Sequence, residues 1–77
     1  MMADGHVEAR GKVSEVVFFE SNVGEPNKSI VTIANGSSPQ TLAIEGDMRN
    51  ALPVGRTVSI ILGKENGNNV LLNVSYS

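Results

Sequence analysis

The sequence predicts an all-β fold, a small barrel of five strands, and three observations carry that prediction. Apolar and polar residues alternate in four separate runs, the period of two of a strand with one dry and one wet face, and a fifth run is rich in β-branched residues. Clusters of Gly, Asn and Pro separate those runs and read as turns. The longest run, His6 to Glu20, breaks phase in its middle, so one strand bends and can serve both halves of a curved sheet.

In that first run Val7, Ala9, Gly11 and Val13 alternate with Glu8, Arg10, Lys12 and Ser14. Continuing the phase would turn Glu15 into the core. A one-residue bulge after Ser14 instead returns Val16 and Phe18 to the inside and leaves Val17 and Phe19 outside. Gly11 lies just before the break, where a missing Cβ eases a sharp bend. Met1 to Gly5, polar and glycine-containing, are expected to form a loose terminus to one domain spanning residues 1–77.

After a loop over Glu20 to Asn27, which is long for a hairpin connection, Lys28 to Asn35 is β-branched at its centre and forms the second strand. Asn35-Gly36 turns the chain, both residues tolerating positive φ. The third strand is Gln40 to Glu45, with Leu42 and Ile44 inward. Met48, Ala51 and Leu52 then fall on one face of a helical turn, capped by Asp47 and stopped by Pro53, so a short helix is expected between the third and fourth strands. A turn with proline in its second position leads into the fourth strand, Arg56 to Leu62. A polar loop from Gly63 to Asn69 precedes the fifth, Val70 to Tyr76, with Val70, Leu72, Val74 and Tyr76 on one face.

A long bent strand, two strands, a short helix and two more strands is the order of a Greek-key barrel of the OB type, the helix plugging one end. The rival is an SH3-like barrel, in which the helical turn usually precedes the last strand. Both are filled by Val, Ile and Leu, in keeping with an aromatic content of 4%.

Composition narrows the function classes. The chain has no cysteine and one histidine, which leaves no disulfide, thiolate metal site or cysteine nucleophile and only His6 for a histidine-based triad. Glu20 and Glu25 share a loop without an acidic array around them, so neither metal nor cofactor is expected, and the chain reads as a non-enzyme. A net charge of −2 gives no field attracting nucleic acid or an anionic membrane. No apolar run approaches a membrane span, and the first residues lack the basic and apolar regions of a signal peptide, so a cytoplasmic location is expected.

Two binding readings remain. OB barrels commonly receive single strands or oligosaccharides on the face of the second and third strands, between the first and last loops. Here that region holds Lys28, Thr32, Thr41, Ala43 and the loops Glu20 to Asn27 and Lys64 to Asn69. The first reading is weak binding of single-stranded DNA or RNA, with Arg10, Lys12, Lys28 and Lys64 on phosphates and Phe19 as a stacking platform. The second is a protein-interaction or assembly subunit using Val17, Phe19, Ile61 and Leu71, apolar residues on nominally wet phases. A homo-oligomer is compatible with either, since so short a chain buries a limited core.

Overall fold

The break in the first run is where the sheet bends. In the computed structural model, which describes residues 6–77, β1 (Val7–Phe19) is the central strand of one antiparallel sheet. The others are β2 (Lys28–Asn35), β3 (Ser38–Glu45), β4 (Thr57–Glu65) and β5 (Asn68–Tyr76), in the order β3-β2-β1-β4-β5. The N-terminal half of β1 pairs with β4, from Val7 opposite Leu62 to Lys12 opposite Thr57. Its C-terminal half pairs with β2, from Lys12 opposite Ala34 to Phe19 opposite Lys28. The expected loose terminus, Met1 to Gly5, lies outside the described residues.

The bulge falls where the phase break predicts it. Register slips between Val13 and Glu15, leaving Ser14 without a partner across the strand. Gly11 has φ +149°, and a Cβ there would lie 2.3 Å from the carbonyl oxygen of Ala34. Only glycine lets β2 come this close to β1 as it takes over from β4. Around this bend the inward residues form an aliphatic core of Ala9, Val13, Val31, Ile33, Ile44, Leu52, Val58, Ile60 and Leu62, each buried.

Four expectations need correction. First, there is no helix among the described residues. Residues 46–56 form turns, with a single helix-like bond from the Leu52 N–H to the Met48 carbonyl (2.9 Å). Ser29 shapes this segment from β2: its buried hydroxyl donates to the Gly46 carbonyl (2.7 Å) and accepts from the Met48 N–H (2.9 Å). Proline occupies the first position of the next turn, closed by the Arg56 N–H on the Pro53 carbonyl (3.1 Å), because Gly55 at φ +97° takes the third.

Second, the primed Asn-Gly turn is at Asn66-Gly67, both with positive φ, rather than at Asn35-Gly36. It extends β4 and β5 through Glu65 and Asn68 and shortens the expected seven-residue loop to a tight hairpin. In the other hairpin Asn35 pairs with Ser38, so Gly36 and Ser37 are the central residues and only Gly36 has positive φ.

Third, β5 carries a second bulge. Ile61 faces Asn73 while Leu62 faces Leu71, so Leu72 is the extra residue. The bulge inverts the expected phase: Leu71 packs on the core and Leu72 faces solvent. Fourth, backbone pairing does not close the sheet. The edge strands β3 and β5 approach each other, and the Asn69 side-chain amide donates to the Ala43 carbonyl (2.9 Å), but no ladder joins them.

Candidate binding face

Strand register fixes which side chains stand side by side on the outer face. Phe19, Lys28 and Glu45 are cross-strand partners over β1, β2 and β3, and Val17, Ile30 and Ala43 make the next such row. Glu15, Thr32 and Thr41 follow, the two threonine hydroxyls 3.3 Å apart. Directly opposed side chains in an antiparallel sheet stand about 4.5–5.5 Å apart at Cβ, so these rows are contact neighbours. Phe19 is 51% exposed and Val17 37%, so the middle of the face is an accessible apolar stripe.

The Ser14 bulge turns Val17 and Phe19 out while Val16 packs on the core. Phe18 is half-buried, its ring covered by the Arg49 guanidinium 4.7 Å from the centroid. That guanidinium is held by Asp47, through Nε to Oδ1 (2.8 Å) and Nη2 to Oδ2 (2.5 Å), and Asp47 Oδ1 also accepts from the Arg49 N–H (3.0 Å). The Arg49 side chain, and then its backbone N–H, hold the Asp47 carboxyl down at about 2. Arg49 is raised in turn by Asp47, with a smaller contribution from Glu20.

The loop between β1 and β2 borders the same end of the face and is internally braced. Ser21 donates its N–H to Asn27 Oδ1 (2.9 Å) and its hydroxyl to the Pro26 carbonyl (2.7 Å). Glu25 N–H reaches the Asn22 carbonyl (3.1 Å), and the Gly46 N–H bonds the Asn27 carbonyl (2.7 Å). The turn so fixed carries Val23, which is fully exposed.

Of the sequence-predicted cations, only Lys28 stands beside Phe19. Arg10 and Lys12 lie on the other side of the bulge, opposite Ser59 and Thr57 of β4, ~20–30 Å along the strand from Phe19 at the usual rise per residue. Lys64 faces Asn69 at the end of the β4–β5 hairpin and borders the face only through the Asn69 contact with Ala43. Of the predicted apolar residues, Val17 and Phe19 share the face. Ile61 is half-buried opposite Glu8 and Asn73, and Leu71 packs on the core, so neither joins the stripe.

Ile30 and Val23 join the face beyond the residues expected from the sequence. For Ile30 the signal was present: an apolar residue next to Val31 and Ile33 on the opposite parity marks a strand apolar on both faces. Val23 lies in a polar loop and gives no periodic signal. Away from this face, an open polar groove of about 300 Å³ is lined by Glu8, Ala9, Arg10, Asn35, Gln40 and Ser59. Among the described residues no three His, Asp or Glu side chains are grouped as a metal site requires, and no helix is long and apolar enough to cross a membrane. No protein-family model, curated protein or solved structure matches this chain, so the reading of its function rests on the face itself.

Proposed function

We propose that the chain is a non-enzymatic binding module of the OB type whose outer β1–β2–β3 face docks a protein partner. The architecture is supported by strand order: β3-β2-β1-β4-β5, with β3 and β5 bridged by Asn69, is the order an OB barrel would have if opened at its last seam. An SH3-like barrel would carry its helical turn before the last strand, where this chain has a two-residue hairpin.

The observation that carries the docking reading is the outward alignment of Phe19, Val17 and Ile30 over adjacent strands. Apolar side chains grouped on a solvent-facing sheet gain about 25 cal/mol per Å² when a partner covers them, so such a face marks a contact surface. A homo-oligomer formed through this face is the one-component version of the reading.

A second reading, single-stranded DNA or RNA, is favoured by one observation: Phe19 pairs directly with Lys28, a minimal stacking and phosphate unit. Affinity for a polyanion scales with the number of phosphates neutralised. One lysine among the glutamates of this face supplies little of that, and Arg10 and Lys12 are a strand's length away.

The test is an amide chemical-shift titration of labelled protein at low salt. One probe is a soluble peptide of leucines spaced by serines, and the other is oligothymidine. Saturable shifts at Val17, Phe19 and Ile30 with the peptide, and none there with the oligonucleotide, are the expected result. Salt-sensitive shifts with the oligonucleotide alone overturn the protein reading in favour of the nucleic-acid one.

A further inference from the structure

Resting on the docking reading, the rim of the face carries a second message. Glu15 and Glu45 flank the apolar stripe, Glu20 and Glu25 stand in the adjoining loop, and Asp47 lies at the same end. Asp47 and Arg49 neutralise each other in an ion pair, which leaves the four glutamates against Lys28. The remaining cations of β1, Arg10 and Lys12, sit beyond the bulge beside β4. The face is therefore apolar in its middle and acidic at its edge, although the chain as a whole carries a net charge of only −2.

We infer that the partner is a protein segment with apolar residues at its centre and lysine or arginine on its flanks. Two features of the face select for this chemistry. The stripe of Phe19, Val17 and Ile30, with Val23 held out on the braced loop, covers apolar side chains. The carboxylate rim attracts basic flanks and repels acidic ones, which sets partner choice and association rate more than it sets total affinity. The loop needs little ordering on binding, because its backbone and side-chain bonds already fix it, and pre-organisation lowers the cost of association.

Three peptides test this against the protein in an amide titration. All share a core of leucines spaced by serines; one is flanked by serines, one by lysines and one by glutamates. The inference expects the lysine-flanked peptide to bind the stripe about tenfold more tightly than the glutamate-flanked one at low salt, the ratio shrinking as salt screens the rim. The double variant E15K/E25K should reverse the preference with an unchanged urea midpoint, since both residues are exposed and neither stands opposite a cation across the sheet. Equal binding of the three peptides at Val17, Phe19 and Ile30 overturns the basic-partner inference and leaves the docking face standing. Absence of shifts at the stripe with all three overturns both.

Discussion

Ser29 is the buried polar side chain among the described residues, and it sets the shape of the segment between β3 and β4. Its hydroxyl satisfies one acceptor and one donor that would otherwise be orphaned where the chain turns under the sheet. Ser29→Ala should therefore cost about 1–3 kcal/mol, the penalty of stranding a buried polar group, read as a lower urea midpoint with an unchanged slope. Gly11→Ala should cost about 3 kcal/mol or more, because a Cβ would enter the Ala34 carbonyl at an already unfavourable φ. Asp47 gives a pH signature. Its folded-state pKa lies below its ordinary value, so its ion pair with Arg49 is fully present above pH ~4 and is lost as pH falls through about 2. The Arg49 Nε–H resonance should titrate with that low midpoint, and Asp47→Asn should abolish the step. Gly11 was legible in the sequence, because a glycine before a phase break has few other uses. Ser29 was not: a serine on a strand gives no sign that its partners come from residues 46–48.

At the scale of elements, alternation of apolar and polar residues locates four of the strands and β-branched content locates β2, and the β1 bulge follows from the position of Glu15 in the alternation of its run. The β5 bulge was hidden because Val70, Leu71 and Leu72 are consecutive apolar residues, so either phase fills the core equally well in the sequence. Gly63 supplies the missing reason: its absent side chain leaves room for Leu72, which a Cβ would meet at 2.9 Å. The short helix runs out of donors. The Met48 N–H, free in any first turn, is taken by Ser29, the Leu52 N–H closes one helical bond on Met48, and Pro53 has no N–H for the next. Leu52 nevertheless keeps its predicted place in the core, fully buried. Leu52→Ala should cost about 2–5 kcal/mol. That is a large share of the ~4–12 kcal/mol expected for a chain of this size, and a drop in thermal midpoint would report it. Asn69→Ala removes the one side-chain bridge between β3 and β5, and amide exchange should quicken along the β3 edge around Ala43 while the core of β1 stays protected.

At the scale of the molecule, the bend in β1 divides the outer surface into two regions of different character. The half beside β4 carries Arg10 and Lys12 with polar neighbours, and the half beside β2 and β3 carries the apolar stripe and its acidic rim. The sequence supplied the members of both sets but not their separation, because spacing along the chain does not say which strand each half of β1 will pair with. That separation is why the proposed partner is a protein. The cations that a nucleic-acid strand would need do not surround the one exposed phenylalanine.

On the proposed docking face Phe19 lies in the contact and Phe18 does not, and the chain contains no other phenylalanine. Incorporating fluorophenylalanine gives two fluorine signals, one from the ring beneath Arg49 and one from the ring beside Lys28. Titration with the lysine-flanked leucine peptide should move the Phe19 signal saturably and leave the Phe18 signal in place. A Phe19 signal indifferent to the peptide, or one that moves with oligothymidine instead and returns on adding salt, would overturn protein docking at this face.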